Sequence, residues 1–197
     1  MVKLPEPRYD DAVSVEQALR VRRSIREYAN DPLTLAEISQ LLWAAQGITD
    51  PRGLRASPSA GALYPLEIYI AIGRATNLPR GIYKYRPQGH EIIKVKDGDR
   101  RDALYAAALR QSCVKNAAAV IVFSAVYERT ERKYGERGSR YVHMEVGHAA
   151  QNIYLQAVSL HLGTVFVGAF EDNEVKKVMG MPYEEQPLGI MPLGRIR

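Results

Sequence analysis

Residues 141–170, YVHMEVGHAAQNIYLQAVSLHLGTVFVGAF, decide the fold of this chain. Apolar side chains occupy most sides of a helix over residues 141–162, so the helix must be buried in the interior or against another subunit. Gly163 is its expected C-terminal stop. The apolar run 165–170 that follows predicts a buried strand. A long buried helix followed by a core strand indicates a domain in which helices cover a sheet.

One polar stripe interrupts the apolar surface of this helix. Its members are spaced by four, three, four and four residues and therefore share a face: Tyr141, Glu145, His148, Asn152 and Gln156. Glu145 and His148 have no third ligand in register, so a metal site is not expected. The stripe is either a solvated face or a buried network at a dimer interface or ligand site, and the sequence leaves both open.

The rest of the chain predicts capped helices and a sheet. Ser14 with Gln17 indicates the start of a first helix ending near residue 23, and Thr34 with Glu37 forms a capping box for a second that ends at Gly47. Strands are expected at residues 68–72, 81–85, 91–95, 117–126 and 188–194, and helices at 100–109 and 172–179. The charged stretch 128–140, ERTERKYGERGSR, is expected to be an exposed or mobile loop. This order predicts an α+β sandwich.

The composition is that of an ordinary globular protein. With 197 residues, 46% of them hydrophobic and 25% charged, a single domain spanning residues 1–197 is expected. No apolar run is long enough to span a bilayer, and the N-terminus lacks the apolar core of a signal peptide, so we expect a cytoplasmic protein without membrane contact. Cys113, the only cysteine, agrees with a reducing compartment and is predicted to be a packing residue.

The net charge of +5 does not by itself identify a ligand. Basic residues are dispersed and interleaved with acidic ones, which does not favour nucleic-acid binding. A basic balance also suits a protein whose small ligands carry phosphate groups, because positive potential raises the rate of encounter with anions.

Three segments are candidates for ligand binding. RRSIREY, residues 22–28, offers three guanidinium groups and a hydroxyl that suit a phosphate, although a solvated basic helix end has the same composition. SPSAGALYPLE, residues 57–67, is a loop of small residues that lets backbone approach a flat ligand closely, or an ordinary connector. VGAF, residues 167–170, places a glycine in a predicted strand, which indicates close backbone approach or core packing.

These segments and the long helix resemble the nitroreductase-like flavoprotein family. RRSIREY, SPSAGALYPLEIY, residues 141–170 and the closing PLGR at 192–195 follow the family's order over residues 15–195, with most similarity to its SagB-type branch, which includes azoline dehydrogenases. The resemblance implies a sandwich with a mainly antiparallel central sheet and a long helix at a homodimer interface. It also implies one FMN at that interface, and ping-pong electron transfer from NADH or NADPH to a small oxidised acceptor.

The resemblance further implies which residues hold FMN. Those expected at the phosphate and pyrimidine ring are Arg22, Arg23, Ser24 and Arg26, with Arg195 also reaching the phosphate. Those expected to line the isoalloxazine from the partner subunit are Pro58, Ser59 and Ala60. The amides of Val167 and Gly168 are expected near the flavin N5 and O4 atoms. No catalytic acid or nucleophile stands out, and Tyr64 is the candidate substrate contact.

Two departures from the family pattern leave alternatives open. Many members carry Asn and Gln-Pro-Trp after the Pro-Ser pair, where this chain has GALYP at residues 61–65, so side-chain recognition of the flavin edge is not defined. Many members also continue past the last strand, so dimer contacts are expected mainly from the long helix. The alternatives to a small-molecule reductase are an azoline dehydrogenase acting on peptides and a non-catalytic flavin-binding or nucleic-acid-binding protein.

Overall fold

A seven-stranded antiparallel sheet organises the computed structural model, which describes residues 1–197. The strands are β1 (Val2–Lys3), β2 (Leu66–Ile72), β3 (Gly81–Arg86), β4 (Glu91–Asp97), β5 (Ala119–Ala125), β6 (Leu162–Thr164) and β7 (Gln186–Arg195). Their spatial order is β1-β4-β3-β2-β5-β7-β6, and every neighbouring pair is antiparallel. All residues of β5 are buried, as its nearly all-apolar sequence predicts.

Helices cover both faces of this sheet. They are α1 (Val15–Val21), α2 (Leu35–Gln46), α3 (Arg101–Ala107), α4 (Ser112–Asn116), α5 (Glu128–Tyr134), α6 (Gly138–Ser159) and α7 (Asp172–Met179). Side chains alternate along β2, so that Ile68 and Ile70 pack toward α2 and α6 while Tyr69 and Ala71 pack toward α3 and α7. Two hydrophobic clusters result, one on each face, and the predicted α+β sandwich is confirmed.

Local capping signals were reliable. The Ser14 hydroxyl accepts a hydrogen bond from the Gln17 amide, and Thr34 with Glu37 forms the reciprocal capping box of α2. Gly47 ends α2 as expected. None of the helices is both long and apolar enough to cross a bilayer.

Two predicted boundaries around the long helix are wrong. The helix occupies Gly138–Ser159, and Gly163 lies in β6 instead of ending the helix. Residues 165–170 are not a strand, because only Val167 finds a backbone partner, Ile190, after the chain leaves the sheet edge. The apolar run reflects burial of Val165 and Val167 against neighbouring elements, which periodicity cannot distinguish from strand pairing.

Residues 128–140, expected to be an exposed or mobile loop, are mostly exposed, but the prediction of a loop is wrong, since they form α5 and the first turn of α6. Acidic residues occupy the first turn of α5 and basic residues its last turn, which favours a helix through the macrodipole. Glu128 and Arg132 form an ion pair of 3.0 Å one turn apart, and Thr130 is buried. With so few apolar residues, this helix leaves little hydrophobic periodicity in the sequence.

Candidate functional site

The arginine segment, residues 22–28, follows α1 and lies against the edge of the sheet. The Ile25 amide donates to the Thr164 carbonyl at 2.8 Å. Ile25 and Tyr28 approach β6 and β7 at two glycines: a Cβ atom on Gly163 would lie 2.7 Å from Ile25 Cγ2, and one on Gly194 would lie 2.6 Å from Tyr28 Cβ. Glycine at these two positions therefore lets the segment lie directly on the sheet.

Two guanidinium groups of this segment are free. Arg22 and Arg26 form no hydrogen bond or ion pair, and Arg22 lies over the Tyr154 ring at 5.0 Å. Arg23 instead donates to backbone carbonyls of its own helix end at 2.7 and 3.1 Å. Arg22 and Arg26 thus offer forked donors to an anion, whereas Arg23 is partly engaged.

Tyr154 joins the arginine segment to residues 165–170. Its hydroxyl lies 3.1 Å from Ser24 Oγ and accepts a hydrogen bond from the Phe166 amide at 2.7 Å. Tyr154 is not distinguished in the sequence, because it lies off the polar stripe on an apolar flank of α6 and its role depends on tertiary contacts. The hydroxyl holds two of the three candidate segments in one place.

The turn after Phe166 presents free backbone donors. The Val167 amide is not one of them, because it donates to the Ile190 carbonyl at 2.8 Å. The amides of Gly168, Ala169 and Phe170 have no hydrogen-bond partner in the chain, and Gly168 is exposed. Consecutive free N–H groups suit an electronegative ligand edge. Gly168 remains a predicted contact, whereas the Val167 amide is already used within the fold.

The small-residue loop, residues 57–64, is held between α2 and α6. Ser57 Oγ donates to the Ala45 carbonyl at 2.8 Å. The Asn152 side-chain amide donates to Ser57 Oγ at 3.0 Å and to the Ala56 and Ala44 carbonyls at 3.3 and 3.1 Å. Asn152 of the polar stripe therefore fixes the start of the loop to both helices.

The end of the loop carries backbone strain. Gly61, Ala62 and Tyr64 have φ of 61°, 53° and 48°, a region that costs non-glycine residues about 1–3 kcal/mol each. Tyr64 is held by its amide, which donates to Ser59 Oγ at 2.9 Å, and by its hydroxyl, which accepts from the Arg55 amide at 3.1 Å. The Arg55 guanidinium covers the Tyr64 ring at 4.3 Å. Tyr64 thus organises the loop, and its contact with substrate stays a prediction.

An ion network fixes the residues that follow. Glu67 binds Arg129 at 2.6 Å and Lys84 at 3.0 Å, and Lys84 also binds the buried Glu185 at 2.5 Å. Arg129 in addition donates to the Tyr64 carbonyl at 3.1 Å. Arg129 lies on α5, in the stretch predicted to be an exposed or mobile loop, and this stretch supports the small-residue loop.

Glu145 lies behind the small-residue loop and is 2% exposed. Its Oε1 atom is buried without a hydrogen-bond partner. Burial raises the pKa of this carboxyl to about 7, against the opposing effects of the Ser59 hydroxyl and the Arg55 guanidinium. A carboxyl group in this state can hold or release a proton near neutral pH.

The polar stripe is therefore a partly buried network and not a solvated face. Asn152 contacts the small-residue loop and α2, Gln156 accepts a hydrogen bond from Gln40 of α2 at 3.0 Å, and Tyr141 packs edge-on against Tyr134 of α5 with ring centroids 5.0 Å apart. His148 is the exception, since it is exposed.

The two groups of candidate residues lie on opposite flanks of α6. Asn152 contacts the small-residue loop, whereas Tyr154, two positions later and about 200° around the helix, contacts the arginine segment. Between the two flanks, α6 exposes Met144, which is 51% exposed, together with Gly147 and His148. One chain therefore does not bring Pro58, Ser59 and Ala60 to the free arginines.

A cavity of about 650 Å³ lies between α1, α2 and α6. Trp43, Arg55, Asn152 and Leu155 line it, whereas Arg22, Arg26 and Gly168 do not. The free arginines and amides thus lie outside this cavity.

Arg195 and Cys113 have defined environments. The Arg195 guanidinium binds the Glu37 carboxylate at 2.6 Å, so a phosphate contact would have to share or replace this ion pair and stays a prediction. Cys113 is 4% exposed in the cluster beneath α3 and α7, and burial raises the pKa of its thiol. This environment agrees with a packing role.

Comparison with known proteins identifies relatives over nearly the whole chain. A family model described as the nitroreductase family matches residues 19–195. The chain is 50% identical over 185 residues to a protein of Methanocaldococcus jannaschii that is provisionally named a nitroreductase, covering 94% of this chain and 92% of that one. It is 28% identical over 156 residues to the microcin B17-processing protein McbC of Escherichia coli, covering 76% of this chain and 57% of McbC.

A further relative is the NADPH-flavin oxidoreductase of Vibrio harveyi, 29% identical over 111 residues, which cover 52% of this chain and 46% of that protein. Among solved structures, a provisionally named nitroreductase from Ralstonia eutropha superimposes with a TM-score of 0.87 at 28% identity, covering 100% of this chain and 89% of that one. A second provisionally named nitroreductase, from Anabaena variabilis, superimposes with a TM-score of 0.86 at 31% identity. The match covers 100% of this chain and 41% of the Anabaena chain.

Proposed function

The chain belongs to the nitroreductase family, whose members are oxidoreductases, and on that premise we propose that it is an FMN-dependent enzyme. It would transfer electrons from NADH or NADPH to a small oxidised acceptor such as a nitro compound or a quinone. The observation that carries the proposal is that Tyr154 links the segment bearing two unpaired guanidinium groups, on Arg22 and Arg26, to the segment whose free amides begin at Gly168. The V. harveyi relative, named for NADPH and flavin, supports the choice of donor and cofactor.

The donor set fits FMN. Arg22 and Arg26 would bind the phosphate and the pyrimidine edge, Ser24 would add a hydroxyl, and the Gly168 amide would face the ring. The Cβ position of Gly168 has only Phe166 Cε1 nearby, at 3.9 Å, so the backbone there is open to a flat ligand. Bound FMN would supply the hydride acceptor and donor, while the protein supplies binding and orientation.

The cycle we propose is a ping-pong one. The nicotinamide would bind against the ring, give up its hydride and leave, and the acceptor would then enter the same space. Because no side chain stands ready as a nucleophile, the residues of the chain would act by orienting both substrates in turn.

A homodimer would complete the site. The small-residue loop and the arginine segment lie on opposite flanks of α6, and the face between them exposes Met144. Val15 and Leu19 of α1 are likewise 64% and 53% exposed, which is typical of an interaction surface. A two-fold axis through this face would lay the loop of each copy against the arginine segment of the other. We place this dimer in the cytoplasm, without a nucleic-acid or membrane partner.

Spectroscopy of the purified protein tests the proposal. The protein incubated with FMN should show flavin absorbance, lose it anaerobically on addition of NADH or NADPH, and regain it when a quinone or nitro compound is added. Sedimentation should show a dimer that carries the flavin. Absence of flavin bands, or a monomer that retains FMN, would contradict the proposed site.

A second candidate is azoline oxidation in a peptide, favoured by the match to McbC over 76% of the chain. Formation of an azole from an azoline peptide, with no turnover of quinones or nitro compounds, would support it. A flavin that NADH and NADPH both fail to bleach would instead indicate a non-catalytic flavin-binding protein.

A further inference from the structure

The carboxyl group of Glu145 has no role in the proposed ping-pong cycle. It lies on α6 behind the small-residue loop, almost fully buried, and its Oε1 atom accepts no hydrogen bond. Buried polar atoms are nearly always paired, so an unpaired carboxyl oxygen in a candidate site requires an explanation. The Ser59 hydroxyl is one of the two groups that oppose the rise in its pKa, which connects Glu145 to the residues proposed to line the flavin ring.

The surroundings of Glu145 allow it to change its charge. Burial favours the protonated form of Glu145, whereas Ser59 of the loop and Arg55, which precedes the loop, both favour the ionised form. Arg55 is shared, because it also donates to Gln46 Oε1 at 2.8 Å. The other charged or titratable groups that act on Arg55 are Glu67 of β2, Tyr64 of the loop and Arg129 of α5. No fixed ion pair therefore holds Glu145 in one charge state.

We propose that Glu145 takes up a proton from solvent when a flavin bound at the small-residue loop is reduced, and returns it through Ser59 when the acceptor is reduced. The inference rests on the proposed function, in which Ser59 lines the ring. Bound FMN would supply the hydride acceptor, so that hydride transfer would oxidise the nicotinamide and add one negative charge beside the small-residue loop. A proton on Glu145 offsets that charge, because a nearby negative charge disfavours ionisation of a carboxyl group.

The second half of the cycle restores the starting state. Hydride transfer to the acceptor would move the negative charge onto the acceptor, which would need one proton to complete its reduction. The Ser59 hydroxyl gives up its proton to the acceptor and takes one from Glu145, which becomes ionised again. Because Glu145 acts through Ser59, it is a positioning and proton-storing residue and not a catalytic one.

Infrared difference spectroscopy on the FMN-loaded dimer tests the proposal. Electrochemical reduction near neutral pH should produce a positive band in the carbonyl-stretch region of protonated carboxyl groups, and the band should shift in D2O. The band should be absent from Glu145→Gln, shifted in Glu145→Asp and unchanged in Glu136→Gln, which removes an exposed carboxylate near the start of α6. The FMN midpoint potential should also depend less steeply on pH in Glu145→Gln than in the unaltered protein.

The outcomes separate this inference from the proposed function. A protein that binds no FMN overturns both. A protein whose FMN is reduced by NADH or NADPH, but whose reduced form gains no carboxyl band, overturns the proton storage alone, and this measurement needs no variant. Persistence of the band in Glu145→Gln would assign the proton to another group and would equally overturn it.

Discussion

Replacing Glu145 by Gln should stabilise the protein at alkaline pH and change its stability much less at acidic pH. The carboxyl is 2% exposed and has an unpaired oxygen, so its ionised form is disfavoured in the folded state. Gln has nearly the same shape and carries no charge, so it resembles the protonated carboxyl. The variant therefore isolates the cost of ionising one buried group.

The magnitude follows from the pKa of Glu145. Folding raises this pKa from an ordinary 4.5 to about 7, which at about 1.4 kcal/mol per pH unit corresponds to about 3 kcal/mol. Since the folded pKa is the higher one, the contribution to stability is fully present below pH 4.5, declines as the pH rises and is lost above about pH 7. The stability advantage of Glu145→Gln should thus grow by about 2–3 kcal/mol between about pH 5 and about pH 8.5.

Urea unfolding of the apo protein, followed by fluorescence of Trp43, the only tryptophan, measures this difference. Both proteins must be compared at one concentration, because association shifts apparent stability. Subtracting the two curves at each pH removes other titrating groups, such as His90, whose pKa burial lowers. Glu136→Gln is the matched control and should show no such pH trend, since Glu136 is exposed. An equal difference between variant and parent at both pH values would refute the reasoning.

Three further predictions concern the candidate site. Arg22→Ala and Arg26→Ala should each weaken FMN binding about tenfold or more, because one charge-assisted bond is lost. Each should change the free energy of unfolding of the apo protein by less than about 0.5 kcal/mol. Flavin fluorescence titration measures the first effect and urea unfolding the second. Tyr154→Phe should leave the Phe166 amide unpaired, lowering the free energy of unfolding by about 1–3 kcal/mol and weakening FMN binding, and unchanged values would remove Tyr154 from the site. Glu37→Ala should lose the capping box of α2, which should lower the free energy of unfolding in urea by about 1 kcal/mol without weakening FMN binding. A marked loss of FMN binding would show that the ion pair of Glu37 with Arg195 itself positions the ligand.

Local signals in the sequence predicted much of the fold. The caps at Ser14 and Thr34 and the strand alternation in β2 are encoded within a few residues, and each was found where expected. The prediction of a strand at residues 165–170 was wrong because an apolar run indicates burial and does not identify a backbone partner. The prediction of a loop at residues 128–140 was wrong because α5 is stabilised by the placement of its charges and by its contact with the small-residue loop, and neither produces an apolar pattern.

The candidate site was predictable only as separate segments. Clustered arginines at residues 22–26 and small residues at 57–64 are visible in the sequence because their composition is unusual. The sequence does not show which donors remain unpaired. The Val167 amide is paired with the Ile190 carbonyl and the Arg195 guanidinium with the Glu37 carboxylate, and both contacts form only in the folded chain. The burial of Glu145 likewise depends on how the loop folds over α6, so the stripe alone could not reveal it.

The separation of the two half-sites by the width of α6 has a genetic consequence. In the proposed dimer, each FMN position combines the arginines of one copy with the loop of the other. A copy lacking Arg22 and Arg26 and a copy with a damaged loop would each be inactive alone, yet a mixed pair would contain one fully defective position and one intact position. Co-expression of two such null alleles should therefore restore activity, a form of intragenic complementation that a self-contained site would not allow.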